Sequence, residues 1–318
     1  SSAASDVYKR QSMFLGDELT EILESIEAGT PYSKKDAPVM EIGVHVLPTF
    51  PKDTTARNRT SPFAFTGNKF EFRMLGSSCS VSGPNIVLNT IVAEELCQFA
   101  DELEKAPDFK KALNELIRRT ISEHKRIIFN GNNYSEAWVQ EARRRGLPII
   151  PSTVEAFDCL VAPKNIALFA RHGVFTEAEC ISRHEILLEN YVKVVGIEAA
   201  TLIEMVRRQV YPAVVRYTGE IAETVNRMRT AGAAAVSTVR LLDTLTALVD
   251  QIDSELGALR DAYARSQSIE DVHAHAEFMR SDIRLCMESL RAACDAAETI
   301  MDGSCWPMPT YTDLLLRV

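Results

Sequence analysis

The chain of 318 residues is 46% hydrophobic and 25% charged, which is typical of a folded protein long enough for about two domains. Its formal net charge of −9 argues against a basic surface for nucleic acid. No apolar run approaches the ~20 residues that a membrane span requires. The seven cysteines form no CxxC pair, which indicates reduced thiols without a disulfide framework or zinc knuckle. We therefore expect a cytoplasmic protein that binds neither nucleic acid nor membrane.

The first eleven residues, SSAASDVYKRQ, differ in character from the sequence that follows. They lack the apolar core of a signal peptide. The last six, DVYKRQ, match the translated end sequence of a transposon used to prepare sequencing libraries. We therefore interpret residues 1–11 as a non-native tag, and we expect native sequence to start near Ser12, inside a longer protein. The alternative is a disordered native N-terminus.

The region that follows mixes helices with short strands. An apolar face over residues 13–28 predicts a helix that ends at Gly29. Short strands are predicted at 39–44, 63–65 and 69–73, the last two joined by a Thr-Gly-Asn turn. A helix is predicted from about residue 85, directly after a proline, to residue 104.

From residue 107 onward the pattern predicts a chain that is almost entirely helical. Shorter helices are expected at 109–124, 135–145, 153–160 and 164–172, with a strand at 127–129. A capping box formed by Thr176 and Glu179 begins a long helix, which bends at Pro212 and continues to about residue 230. The final thirteen residues are expected to form an irregular tail.

Two further helices carry the most regular apolar pattern in the chain. Apolar residues recur in alternating steps of three and four residues, as in the seams of packed helices. The seam positions are Leu245, Val249, Ile252, Leu256, Leu259 and Tyr263, then Met279, Ile283, Cys286, Leu290, Ala293, Ala297 and Ile300. We expect an antiparallel helical hairpin, joined at 266–270, whose seams form a core and carry no chemistry.

The block NRTSPFAFTGNKFEFRMLG, residues 58–76, is the part of the sequence most suggestive of chemistry. In a strand at 69–73, Lys69, Glu71 and Arg73 share one face because successive side chains alternate. A carboxylate between two cations has two interpretations. It is either a solvated amphipathic strand or a site for Mg²⁺ and an anion, since Mg²⁺ prefers carboxylates and arginine binds phosphate or carboxylate.

This block resembles the C-terminal part of the glutamine synthetase catalytic domain, in which an Asn-Arg-[Ser/Thr] motif precedes a Glu-x-Arg strand. The run NRTSPFAFTGNKFEFR, followed by GPNIVLNTIVAEEL, is similar to the type III, long-subunit branch, as are GDELTEILE and WPMPTY. The resemblance covers residues 12–318. It implies an α+β fold, with residues 12–128 as the C-terminal part of the catalytic domain (short antiparallel strands plus helices). Residues 129–318 would form an all-α helical extension.

The resemblance also implies a function in glutamine biosynthesis and nitrogen assimilation. The family joins L-glutamate and ammonia with ATP and Mg²⁺ or Mn²⁺, through a γ-glutamyl phosphate. Arg59 would contact ATP and the transferred phosphoryl group, whose charge it would offset. Arg73 would hold glutamate and Glu71 would bind the metal. Lys69 lies near a nucleotide-contacting lysine of some members, although the spacing differs.

Several features of the family are absent or altered in this sequence. Ala64 stands where type I members carry a second arginine, five residues after Arg59. The upstream metal ligands, most of the nucleotide pocket, the ammonium-site acids and the small N-terminal domain have no counterpart. We therefore expect the 318-residue chain to be inactive by itself and to assemble poorly, although full-length members form dodecamers of two hexamers. The alternative is a non-catalytic helical assembly or regulatory module that retains a relic of the site.

The resemblance leaves the compartment open, whereas the remaining polar residues are interpreted from their own positions; a subunit contact is the alternative for the arginines at 143–145. We expect the cytoplasm, or a plastid if the source is an alga. Residues 143–145, three arginines, are expected to stabilise a helix C-terminus. The remaining histidines have no metal-ligand spacing, and we expect His124, His172 and His184 to be isolated.

Overall fold

The computed structural model describes residues 12–32, 39–40, 50–51, 63–66, 69–72, 80–132, 135–309 and 311–316. Residues 1–11, which the sequence analysis interprets as a tag, lie outside this described part. The chain separates into two compact units, Ser1–Cys180 and Ile181–Val318, hereafter the N-terminal unit and the C-terminal unit. The family-based boundary between residues 128 and 129 stays a prediction.

The strands of the N-terminal unit are short, as expected. They are β1 (Met13–Phe14), β2 (Val39–Met40), β3 (Phe50–Pro51), β4 (Phe63–Phe65) and β5 (Phe70–Phe72). One sheet has the order β1-β4-β5, with β1 parallel to β4 and β4 antiparallel to β5. Strands β2 and β3 form a separate antiparallel pair. The predicted α+β class is therefore confirmed, and residues 41–44 and 73 of the predicted strands lie outside the described residues.

Helix α1 (Asp17–Ala28) begins four residues later than the sequence pattern predicts. Met13 and Phe14 belong to a strand, so the prediction of a helix from residue 13 was wrong. Gly16 explains the change, because its φ of 81° is accessible to glycine and interrupts helical geometry. At the other end, Gly29 adopts a left-handed φ of 68° and its N–H donates to the carbonyl of Ile26, which closes the helix as predicted.

Asn130 joins the start of α1 to the sheet. The N–H of Phe129 donates to the carbonyl of Met13 at 3.0 Å, and Ile128 forms a parallel bridge with Met13. The Asn130 Oδ1 accepts from the N–H groups of Leu15 and Gly16, both at 3.1 Å. The strand predicted at 127–129 is thus reduced to a single bridge, because residue 127 ends a 3₁₀ turn.

The other helices of the N-terminal unit agree with the sequence pattern to within three residues. They are α2 (Ser82–Leu103), α3 (Phe109–His124), α4 (Glu136–Arg144), α5 (Thr153–Asp158) and α6 (Pro163–Arg171). Three of them begin at a side-chain cap, in which Asp108, Ser135 or Ser152 accepts a backbone hydrogen bond three residues further on. Such caps satisfy N–H groups that the first helical turn leaves free.

Most of the remaining described residues are helical. It comprises α7 (Glu177–Met205), α8 (Tyr211–Thr230), α9 (Val236–Ser266), α10 (Val272–Phe278), α11 (Arg284–Glu298) and α12 (Tyr311–Leu316). The capping box before α7 is confirmed, since the Thr176 N–H donates to the Glu179 carboxylate at 2.8 Å and the Glu179 N–H donates to the Thr176 hydroxyl at 3.3 Å. The expectation of a wholly irregular tail was wrong, because residues 311–316 form a short helix.

Both predicted helical seams enter one core in the C-terminal unit. Leu245, Ile252, Leu259, Ile283 and Leu290 are each fully buried there. A π-helical turn, Val206–Val210, precedes α8. It ends two residues before Pro212, where the sequence predicts a bend because proline lacks the N–H that a helical hydrogen bond requires. No helix in the described part of the chain has the length and apolar character to cross a membrane.

Candidate active site

The hairpin of β4 and β5 separates its side chains into two faces. The residue pairs across the hairpin are Phe63 with Phe72, Ala64 with Glu71, and Phe65 with Phe70. Because side chains alternate along a strand, Ala64 and Glu71 share one face and the four phenylalanines share the other. The predicted separation of Glu71 from Phe70 and Phe72 is therefore confirmed.

The aromatic face holds the hairpin in register. Phe63 and Phe72 have ring centroids 5.1 Å apart, and those of Phe65 and Phe70 are 5.2 Å apart. Tilted pairs of this kind contribute about 0.5–1.5 kcal/mol each beyond the area they bury. Phe70 and Phe72 nevertheless remain 51% and 39% exposed. The pairs therefore fix the register that presents Glu71, although their outer surface is left accessible.

The opposite face places a cation beside a carboxylate. The Lys69 Nζ lies 3.6 Å from the Glu71 Oε1, with the two side chains 66% and 37% exposed respectively. An ion pair this exposed contributes about 0–1 kcal/mol to stability, so it does little for the fold. Lys69 and Glu71 lie together as the sequence pattern predicts, and the carboxylate is accessible to a ligand.

Ala64 lies next to that carboxylate on the same face of the hairpin. It is fully buried and stands directly across the hairpin from Glu71. Directly opposed residues in an antiparallel pair have Cβ atoms about 4.5–5.5 Å apart. A long side chain at position 64 would thus point at Glu71, and it could be accommodated only if the groups that bury Ala64 moved.

The chemistry of Glu71 suits a hard divalent cation. Mg²⁺ takes carboxylate oxygens as ligands and usually combines one or two of them with substrate phosphates. The described residues contain no group of three or more histidine, cysteine, aspartate or glutamate side chains placed to hold a metal ion. A single accessible carboxylate such as Glu71 is chemically compatible with one ligand position of such an ion, and metal binding by Glu71 stays a prediction. Arg59 and Arg73 lie outside the described residues, and their proximity to Glu71 stays a prediction.

A second polar cluster, which sequence reasoning missed, surrounds Glu94 on α2. This residue is buried, and its carboxylate accepts hydrogen bonds from the Gln98 amide at 2.8 Å and from the Arg171 guanidinium. The His172 Nε2 lies 2.8 Å from its other oxygen. Hydrogen bonds from Gln98 and His172 lower the pKa of Glu94. The expectation that His172 is isolated was wrong, because a buried carboxylate 78 positions away in sequence reaches it. No local signal in the sequence indicated this, because the adjacent Glu95 is exposed and nothing distinguishes the two glutamates.

Two of the three arginines at 143–145 form specific contacts at the end of α4. Arg144 and Arg145 each hydrogen bond to Glu141, at 2.7 Å and 2.6 Å, and they lower the pKa of that carboxyl to about 2. Arg145 also donates to the carbonyl of Ile128 at 2.9 Å and lies over the ring of Trp138. Arg145 thus links α4 to the bridge that extends the sheet.

Comparison with known proteins shows which sequences this chain resembles. The family described as "Glutamine synthetase C-terminal domain" matches residues 112–229. A type-3 glutamine synthetase of Dictyostelium discoideum is 37% identical over 313 residues. Glutamine synthetases of Butyrivibrio fibrisolvens and Bacteroides fragilis (strain YCH46) are 33% and 31% identical. Each match covers 96% of this chain and 43–44% of the relative, so the chain spans less than half the length of these proteins.

Proposed function

We propose that this chain forms part of a glutamate–ammonia ligase, because 96% of it matches glutamine synthetases and residues 112–229 match the model of their C-terminal domain. The reaction joins ammonia to L-glutamate with ATP and gives L-glutamine through a γ-glutamyl phosphate. The observation that supports this most strongly is the accessible Glu71 carboxylate. It lies on a hairpin of paired strands in the block that resembles the family's site.

Glu71 would hold a divalent cation, Mg²⁺ or Mn²⁺, at this hairpin. When bound, such an ion offsets negative charge on the phosphate oxygens of ATP. The two aromatic pairs on the other face of the hairpin would help to hold this carboxylate in position. The chain's own contribution is thus a fixed oxygen ligand with an exposed side.

Arg59, Arg73 and Lys69 would each contact a different part of the substrates. Arg59 would contact ATP and stabilise charge on the transferred phosphoryl group. Positioning and electrostatic stabilisation account for most of the catalysis of phosphoryl transfer. Arg73 would bind the carboxylate of glutamate through its planar guanidinium. Lys69 would contact the nucleotide phosphates, since its ammonium is 66% exposed beside Glu71. This role also fits the buried Ala64, which leaves no arginine at that point of the hairpin.

The experiment compares Glu71→Gln with wild type in the full-length subunit. Loss of a charged metal ligand should lower the rate of ATP-dependent glutamine formation by about 10²–10³-fold and raise the Mg²⁺ concentration needed for half-maximal rate. Glu71→Asp should retain part of the activity, since it keeps the carboxylate. Glu104→Gln, a change at an exposed glutamate after α2, is the matched control. Unchanged activity in Glu71→Gln would contradict the proposal.

The chain's own behaviour forms the second part of the proposal. We propose that these 318 residues are inactive alone, because one carboxylate cannot assemble a site that needs several ligands. The full-length protein would form a homo-oligomer, a dodecamer by analogy with the family, in the cytoplasm or in a plastid. Size-exclusion chromatography of both forms tests assembly, and an intact dodecamer of the 318-residue chain would contradict the expectation that it assembles poorly.

A further inference from the structure

The hairpin that carries Glu71 is short and depends on a third strand. Strands β4 and β5 have three residues each, and β1 has two. A two-stranded hairpin alone is marginally stable in water, and a third strand or a packed helix is needed for it to persist. Strand β1 supplies this support, because Phe14 pairs with Ala64, the residue directly across the hairpin from Glu71. Whatever holds β1 therefore also supports the strands that present Glu71.

Three residues between α3 and α4 hold β1 from the side opposite to β4. We call residues 128–130 the β1 clamp. Ile128 forms a parallel bridge with Met13, and the N–H of Phe129 donates to the carbonyl of Met13 at 3.0 Å. Since Met13 pairs with Phe63 on its other side, β1 lies between the clamp and β4.

Asn130 is the residue of the clamp that binds through its side chain. Its Oδ1 accepts from the N–H groups of Leu15 and Gly16, both at 3.1 Å, directly after β1. Its Nδ2 donates to the hydroxyl of Thr20 at 2.9 Å. Removal of this amide would leave two partly buried N–H groups without their acceptor, which costs more than the hydrogen bonds themselves contribute.

The clamp is attached to α4 by two further contacts. The Arg145 guanidinium donates to the carbonyl of Ile128 at 2.9 Å and is itself held by Glu141 at 2.6 Å. The ring of Phe129 stacks on the buried ring of Trp138, with ring centroids 4.0 Å apart. A helix that packs through an aromatic ring and an arginine thus supports the clamp, and through it the sheet.

We propose that the β1 clamp positions Glu71 to bind the divalent cation, with Asn130 as the positioning residue. The effect passes through the backbone pairs of β1 and β4, so the clamp touches neither the ion nor a substrate. The clamp lies within residues 112–229, the segment that matches the family's C-terminal domain. That segment contains none of the residues proposed to contact substrates or metal, and the clamp gives it a part in catalysis. This inference rests on the proposed function of Glu71.

The test compares Asn130→Ala with Ser152→Ala in the full-length subunit. Ser152→Ala is the matched control, because it too removes the side-chain acceptor of a backbone N–H near a helix start in the same unit, that of Glu155 at 3.2 Å. Asn130→Asp keeps an acceptor oxygen and serves as the conservative variant. The rate of ATP-dependent glutamine formation is measured against Mg²⁺ concentration, at a temperature where circular dichroism shows all variants folded. Hydrogen exchange of the β4 and β5 amides is measured on the same proteins.

Asn130→Ala should raise the Mg²⁺ concentration for half-maximal rate by about 10-fold, since loss of a group that supports a metal ligand typically weakens metal binding by about 10–100-fold. Asn130→Asp should stay within about 3-fold of wild type, because aspartate accepts backbone hydrogen bonds as well as asparagine does. Exchange of the β4 and β5 amides should accelerate by about 10-fold in Asn130→Ala. Ser152→Ala should change neither the Mg²⁺ requirement nor this exchange.

The variant Glu71→Gln separates failure of this inference from failure of the proposed function. A shifted Mg²⁺ requirement in Glu71→Gln with none in Asn130→Ala would overturn the role of the clamp alone. An equal shift in Asn130→Ala and Ser152→Ala would also overturn it, since general destabilisation would then explain both. No shift in either Glu71→Gln or Asn130→Ala would contradict the proposed function, and the inference with it.

Discussion

The two units of this chain bury very different kinds of residue. The C-terminal unit has one continuous core of leucine, isoleucine, valine, alanine and methionine drawn from successive helices. The N-terminal unit has a smaller cluster, and it contains four of the five buried polar residues of the described part, Ser12, Thr90, Glu94 and Ser152. Both units expose some large apolar side chains. The C-terminal unit is therefore stabilised mainly by apolar packing, whereas the N-terminal unit depends more on buried hydrogen bonds and ion pairs.

The strongest test of the self-contained core is Leu290→Ala in α11. Leu290 is fully buried, so the substitution should lower the free energy of unfolding by about 2–5 kcal/mol through lost burial and the cavity left behind. Leu285→Ala, five residues earlier on the exposed side, should change it by less than about 0.5 kcal/mol. Denaturant unfolding followed by circular dichroism measures both. Equal effects would mean that the seam is not the core.

A smaller effect is expected where the N-terminal unit depends on a single polar residue. Asn130→Ala removes the acceptor for two N–H groups at the start of α1 and the donor to the Thr20 hydroxyl at 2.9 Å. Loss of these three hydrogen bonds should cost about 1–2 kcal/mol. Hydrogen exchange of the α1 amides should then accelerate, whereas Asn114→Ala on the exposed side of α3 should leave it unchanged. Slow exchange in both variants would show that α1 is held by other contacts.

The buried Glu94 cluster should matter for the attachment of α2 and not for the C-terminal unit. Glu94→Gln keeps the size of the side chain but removes the charge that Arg171 and His172 contact. We expect amides of α2 to exchange faster while those of α9 are unaffected. Asp101→Asn, an exposed change on the same helix, is the control. Faster exchange spread over both units would contradict the view that each unit is stabilised separately.

The smallest expected effect is a dependence on pH at Glu141. Hydrogen bonds from Arg144 and Arg145 lower its pKa from 4.5 to about 2, so the folded state binds this proton less readily than the unfolded state does. The resulting stabilisation is present above about pH 4.5 and is lost as the pH falls toward 2. Wild type should therefore melt at a slightly higher temperature than Glu141→Gln at pH 6, and the difference should shrink at pH 3. A difference that grows on acidification would reverse this account.

Local periodicity predicted the helical region well because each helix there packs by its own repeating apolar residues. The steps through Leu245, Ile252 and Leu259 specify both the helix and its buried side. The hairpin at β4 and β5 was also predictable, since aromatic alternation and a turn signal lie within ten residues.

Features that depend on distant residues could not be predicted from local pattern. The start of α1 is set by Gly16 together with Asn130, more than a hundred positions away in sequence. His172 contacts Glu94 on another helix, 78 positions away in sequence. The sequence pattern also did not predict that α2 buries Thr90 and Glu94 while Val92 and Leu96 are exposed. Strand alternation correctly predicted that Lys69 and Glu71 lie together, while the roles of Lys69, Glu71, Arg59 and Arg73 in a site stay predictions.

Glutamine formation itself gives the most direct test of the central claim, that the N-terminal unit carries part of a synthetase site which the rest of the subunit completes. Glutamine and ADP are measured after incubation of the full-length subunit, or of the 318-residue chain alone, with glutamate, ammonia, ATP and Mg²⁺. We predict equal amounts of glutamine and ADP from the full-length subunit, and none from the 318-residue chain. Glutamine formed by the 318-residue chain alone, or none formed by the full-length subunit, would contradict the claim.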